Sequence, residues 1–217
     1  MQYQIDLQCK GTRIIGGQEA KERRRVLNQL ISIVEASGYD EITLPIIEPA
    51  QIYADKAGAE VLDQMYTLTD KGDRSLCLRP EGTATVQLLA QKYYRTQKNV
   101  KLWYFERCYR YERPQAGRYR EFFQFGVEVL NPSSPTIQQE LIALASQLVE
   151  QVTTRYEVSE NVQRGLSYYT EDGFEFSCPE LGAQKQILGG GRYKEGIGFA
   201  LGFDRLMLLD PTRSRPG

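Results

Sequence analysis

At 217 residues, with 41% apolar and 25% charged content, the chain can bury one sizeable hydrophobic core with at most a small appendage. Its net charge of −1 gives no overall attraction to nucleic acid, so any RNA contact would have to come from a local basic patch. The absence of histidine excludes histidine triads, histidine general bases and histidine metal ligands, which leaves carboxylates, arginines, tyrosines, backbone amides or an oxygen-held metal for chemistry.

No run of about 18 apolar residues could cross a membrane, and the opening "MQYQIDLQCKGTRII" lacks the basic-then-apolar plan of a signal peptide. A cytoplasmic protein is expected. Cys9, Cys77, Cys108 and Cys178 are scattered without a CxxC pair, so they read as reduced packing residues.

In chain order, Val26, Leu27, Leu30, Ile31 and Val34 recur at helical spacing, predicting an amphipathic helix over Gln18–Ser37 that stops at Gly38. "EITLPII" (Glu41–Ile47) reads as a short strand whose Pro45 suggests an edge or an interface. "MYTLTDKGDRSLCLRPEGT" predicts a hairpin turning at Asp70–Asp73, followed by a helix from Ala84 to about Arg95. The stretch Phe105–Leu130 predicts two strands around the turn "RPQAGR". A long helix from about Pro135 to Arg155 follows, with Ile137, Leu141, Leu144 and Leu148 on one face. Residues Glu157–Gln163 read as a short bridge. "LSYYT", "GFEFSC", "QKQIL", the run Gly189–Gly191 and "GIGFALGFDRLMLL" supply further strand-like pieces, and 211–217 reads as a frayed tail. Hairpins with helices between them, and no regular βαβ alternation, predict an α+β domain over residues 1–210 around a largely antiparallel sheet.

Strand alternation places Phe122, Gln124, Gly126 and Glu128 on one face and Phe123, Phe125, Val127 and Val129 on the other. In the preceding strand Glu106, Cys108, Arg110 and Glu112 share a face, and a hairpin brings the two polar rows together. A solvated sheet face is the plain reading. Gly126 argues against it, because a strand-interior glycine suggests that something approaches the backbone closely.

These residues carry a resemblance. "YRYERPQAGRYREFFQFGVE" resembles motif 2 of the class II aminoacyl-tRNA synthetases in its histidyl-tRNA synthetase form. "GTR" (11–13), "LRPEGTA" (78–84), "RGLSYYT" (164–170), "GGGRY" (189–193) and "GFALGFDRL" (198–206) are similar to that family's start, amino-acid loop, histidine-specific motif, glycine strand and motif 3, in the family's order. The resemblance implies ATP with Mg²⁺ as substrate complex, histidine as the amino acid and histidyl-adenylate as product. It places Arg110 on the α-phosphate, Arg118 and Arg205 at the γ-phosphate, and Phe122 with Arg205 about the adenine, while Glu112 holds the adenine amine indirectly or through backbone neighbours. Glu81, Thr83 and Gln124 take the substrate ammonium, Arg164 takes its carboxylate, and Glu128 and Tyr169, with Tyr168 beside them, take the imidazole edges. Arg113 and Gln115 match motif 2 loop residues that read a tRNA acceptor end, and the first helix with "EITLPII" matches the dimer-forming motif 1.

Two departures accompany it. Ser167 stands where the family usually has aspartate, and the family's insertion domain, the longer loop after "GGGRY" and the anticodon-binding domain have no counterpart here. Three readings remain: an enzyme making histidyl-adenylate and passing it to tRNA, a histidine-sensing regulatory paralogue of histidine biosynthesis, and a ligase with a non-tRNA acceptor.

Overall fold

The computed structural model describes residues 8–54, 56, 59–163, 165–182 and 184–210. Arg164 and the 211–217 tail, both singled out above, lie outside the described residues.

Helix α1 runs over Gly17–Ala36, and its Val26, Leu30 and Val34 are fully buried at i, i+4 and i+8. Leu27 and Ile31 flank that stripe as partly buried packing residues. After α1 come β1 (Asp40–Glu41), β2 (Ile47–Pro49), the short helices α2 (Gln51–Ala54) and α3 (Ala59–Asp63), and the hairpin β3 (Thr67–Thr69) and β4 (Ser75–Leu78). Helix α4 (Thr83–Tyr93) leads into the long strands β5 (Val100–Tyr109) and β6 (Glu121–Leu130), then α5 (Ile137–Val149). Strands β7 (Glu157–Val162), β8 (Gly173–Ser177), β9 (Gln186–Tyr193) and β10 (Gly196–Gly202) and helix α6 (Phe203–Leu208) complete the order.

The main sheet has seven strands in the order β1-β5-β6-β10-β9-β8-β7. Only β1–β5 is parallel, so the expected α+β architecture on a largely antiparallel sheet is what forms. A second sheet, β2-β4-β3, lies beside it. The strand parity read from sequence holds over β6, whereas in the preceding strand it reaches only Glu106 and Cys108, because β5 ends at Tyr109 and Arg110 and Glu112 lie beyond it. Phe125, Val127 and Val129 join Ile197, Phe199 and Leu201 of β10 in a core with the buried faces of α1, α5 and α6. Stacked Trp103 and Phe125, with ring centroids 5.5 Å apart, sit within it. Cys77, Cys108 and Cys178 are buried free thiols, as packing residues should be, whereas Cys9 is exposed.

Three local expectations are corrected. "EITLPII" is not one strand: β1 belongs to the large sheet and β2 to the small one, with Pro45 in the passage between them. That passage is held by Arg79, fully buried, whose guanidinium donates to the carbonyls of Leu44 (2.8 Å), Pro45 and Arg107 (2.8 Å) and pairs with Glu106 at 2.8 Å. "LSYYT" forms no strand, only an isolated bridge between Tyr169 and Tyr193, since Thr170 N–H bonds the Arg192 carbonyl at 2.9 Å and the pairing stops there. Residues 157–162, read as a bridge, are the edge strand β7. The close approach expected at Gly126 is made by a neighbouring side chain: Tyr104 stands directly opposite it on β5, and a Cβ at 126 would lie 1.9 Å from the tyrosine ring.

Candidate functional site

The polar face of the main sheet opens into a cavity of about 380 Å³. Its walls include Glu81, Thr83, Arg110, Glu112, Arg118, Phe122, Gln124, Tyr168, Tyr169 and Arg205, so residues spread over 125 positions of sequence converge on one space. β5 and β6 deliver Gln124 and, just past the strand end, Arg110; the connection between them delivers Glu112 and Arg118; β4 and α4 deliver Glu81 and Thr83; α6 delivers Arg205.

The cavity has a cationic half. Arg205 donates from Nε to Gly117 O at 2.9 Å, from one terminal nitrogen to Gln186 O at 3.1 Å and from the other to Gln184 Oε1 at 3.1 Å. All three acceptors are neutral, so they orient the guanidinium without cancelling its charge. Burial, reinforced by Arg110 and Arg118 and opposed by Glu175, lowers its pKa to about 10. Arg110 is braced by Pro80 O at 2.9 Å and lies 5.6 Å over the Phe122 ring, so the cation facing Phe122 here is Arg110. Arg118 pairs with the Glu112 carboxylate. Three guanidiniums around one cavity suit a polyphosphate, whose oxygens take charge-assisted forks.

The other half is acidic and aromatic. Glu81, 2% exposed, accepts the first-turn amides of α4 at Thr83 (2.8 Å) and Ala84 (2.9 Å), one per oxygen, and the Tyr168 hydroxyl lies 3.4 Å away. The carboxylate therefore also completes the helix N-terminus. Burial pushes its pKa up, opposed by the Ala84 amide and Arg110. Gln124 Oε1 accepts from the Cys108 thiol at 3.3 Å.

Glu128 has no exposed surface and lies beneath the cavity, outside its immediate lining. Thr83 Oγ1 donates to it at 2.7 Å and Tyr193 Oη at 2.9 Å. Burial raises its pKa to about 8 against the pull of those two hydroxyls. It fits only because β10 carries Gly198 opposite it, where a Cβ would come within 1.9 Å of the carboxylate.

The remaining expected residues separate from this cluster. Arg113 and Gln115 are exposed on the β5–β6 connection, where Gln115 and Arg118 close a tight turn through reciprocal backbone bonds of 3.0 and 2.9 Å. Ser167 points away from the cavity, its hydroxyl donating to Lys56 O at 2.9 Å. Sequence reading missed Tyr193, Gln184 and Asp204. Tyr193 could have been found, since it shares strand parity with Gly189 and Gly191, and the β9–β10 turn brings it beside Glu128. Gln184 sits in a connection without periodicity, and nothing in the sequence flags it.

An antiparallel sheet whose one face carries a buried carboxylate pocket, continuous with a nucleotide-sized cluster of arginines drawn from the β5–β6 connection and the last helix, defines a class II aminoacyl-tRNA synthetase catalytic core. The Histidyl-tRNA synthetase family profile matches residues 11–160, and the chain belongs to that family. A histidine–tRNA ligase from Desulforamulus reducens is 31% identical over 304 aligned positions, covering 90% of this chain and 72% of that protein. One from Methanocaldococcus jannaschii is 42% identical over 137 residues, 63% of this chain and 33% of that protein. The apo histidyl-tRNA synthetase structure from S. aureus superposes with a TM-score of 0.78 at 28% identity, covering 94% of this chain and 70% of that one. The 304-position alignment exceeds the 217 residues available, so the relative carries a stretch with no counterpart here.

Proposed function

We propose that this chain activates histidine with ATP, forming histidyl-adenylate and releasing pyrophosphate, and that it passes the histidyl group to the 3′ end of a tRNA. The observation that carries the reading is the convergence of Arg110, Arg118 and Arg205 on one cavity, because a protein that only sensed histidine would have no use for a cluster of phosphate-binding cations. ATP enters as its Mg²⁺ complex, the ion held chiefly by phosphate oxygens. Arg110 faces the α-phosphate and stabilises the charge that develops there as the histidine carboxylate oxygen attacks and the bond to the leaving pyrophosphate breaks. Arg118 and Arg205 hold the outer phosphates in line, and Phe122 offers a stacking face to adenine.

Histidine lies across the acidic half. Glu81, Thr83 and Gln124 take its ammonium and Tyr169 takes one ring nitrogen, with Tyr168 packed alongside; Glu128, enclosed below the lining, takes the other once Thr83 or Tyr193 releases it. Arg164 is assigned the carboxylate on its motif position alone. Two partners on opposite edges would reject side chains lacking either nitrogen, because a buried polar group left unmatched is costly. Arg113 and Gln115 are exposed where an acceptor stem could reach them. The catalytic domain is assigned to residues 1–210 and the compartment to the cytoplasm; among the described residues no helix is long and apolar enough to cross a membrane.

The test is ATP–pyrophosphate exchange with each of the twenty amino acids. Histidine should drive exchange and the others should not; exchange driven better by another amino acid, or none at all, overturns the reading. Arg164→Ala should lower exchange by roughly two to three orders of magnitude with the fold intact, as loss of one charged contact to the reacting group does.

A further inference from the structure

Arg13 lies outside the cavity, yet it touches the chain neighbour of each of two cavity arginines. Its guanidinium lies 4.3 Å over the ring of Tyr119, which follows Arg118, and pairs at 2.7 Å with Asp204, which precedes Arg205. Its other terminal nitrogen reaches Glu19 at 3.3 Å. The same segment grips the β5–β6 connection once more, Gly11 O accepting Arg120 N–H at 2.8 Å while Gly11 packs against the aliphatic part of the Arg120 side chain. Asp204 is the anchor on the far side. Its Oδ1 also receives Arg23 at 2.9 Å, and its Oδ2 accepts the Phe123 amide at 2.7 Å, tying the start of α6 to β6.

We propose that Arg13 is a positioning residue for the nucleotide half of the site. It fastens the β5–β6 connection, with Arg118, to the start of α6, with Arg205, at the separation a polyphosphate requires. The inference rests on the nucleotide-binding part of the function proposed above. Its logic is geometric: Gly117 O is itself an acceptor for Arg205, so a connection free to swing would displace both a guanidinium and the carbonyl that aims another. A planar fork suits the task because it can stack on a ring through its face and pair with a carboxylate through its edge, which an ammonium cannot do together.

The fold does not depend on Arg13 for charge balance, since Arg23 continues to compensate Asp204 in its absence. Equilibrium binding of ATP and of histidine would be measured separately for the wild type, Arg13→Ala, Arg13→Lys and Tyr119→Leu, with thermal unfolding as the check on folding. Arg13→Ala is expected to weaken ATP binding about tenfold, as a modest misplacement of phosphate ligands does, with histidine binding unchanged. Tyr119→Leu should weaken ATP in the same selective way, and Arg13→Lys, which keeps a charge for Asp204, should recover part of the loss. Unchanged ATP binding in Arg13→Ala, parallel weakening of both ligands, or no recovery in Arg13→Lys each overturns the proposal. A wild type that binds ATP but gives no histidine-dependent exchange removes the histidine assignment and leaves this test standing, whereas a wild type that binds no ATP removes both.

Discussion

Glu128 illustrates how much a single side chain's surroundings decide. Burial lifts its pKa from 4.5 to about 8, despite hydroxyl donors at Thr83 and Tyr193. At neutral pH the folded protein therefore keeps a proton on this carboxyl that the unfolded chain gives up. Because the folded pKa is raised, the associated stability is fully present below the unfolded value and is lost as pH rises towards the folded one, after which the loss levels off. Glu48 and Glu81, both raised by burial, act in the same direction. Glu128→Gln retains an amide for the two hydroxyls but has nothing to titrate. Its melting temperature should fall less than that of the wild type between about pH 5 and pH 8, and parallel profiles would show that Glu128 is ionised throughout. The same substitution should weaken histidine binding above about pH 8, where the carboxyl carries its charge, while leaving ATP binding unchanged, as titration calorimetry would report. The position of Glu128 was legible in the motif 2 pattern. Its depth was not, because that depends on Gly198 and Tyr193, which reach it only through the pairing of β6, β10 and β9.

At the scale of elements, legibility followed how much of the information was local. Helix α1 could be read because three buried aliphatics share one face, and β6 because Phe123, Phe125, Val127 and Val129 alternate with Gln124, Gly126 and Glu128. Strand β7, "EVSENV", was missed because it is exposed almost throughout and carries no apolar alternation; backbone pairing to β8 alone makes it a strand. The aromatic run in "LSYYT" misled in the opposite direction, its tyrosines packing near the cavity instead of joining a ladder. The division of "EITLPII" between two sheets depends on Arg79, 27 positions from Glu106 and 35 from Leu44. Removing that guanidinium takes a donor from three backbone carbonyls and leaves the Glu106 carboxylate with the Leu44 amide but no cation. Arg79→Met should therefore cost about 3–5 kcal/mol, the usual result of breaking a buried ion pair from one side. Denaturant unfolding would measure it, and a loss below about 1 kcal/mol would mean that water or a neighbour replaces the guanidinium.

On the scale of the whole molecule, the small sheet ends on β2, which pairs only with β4 among the described residues. Ile46 and Ile47 at this edge are 47% and 53% exposed. Lone exposed aliphatics are ordinary, but two in succession on an unpaired strand edge form a surface that other chains can extend. Soluble proteins protect such edges with charge, with proline or with a partner, and here Pro45 and Pro49 bracket the pair without covering it. A two-fold symmetric partner would cover both copies at once and close the assembly without propagating it into fibres. We therefore expect a homodimer through the α1–β2 region, as the resemblance of this segment to motif 1 also implies. Light scattering at micromolar concentration should give twice the chain mass, and Ile46→Lys with Ile47→Lys should shift it to monomer while each chain stays folded. A wild type that remains monomeric with exchange activity intact would refute the dimer, and would mean that the proline-flanked edge protects itself.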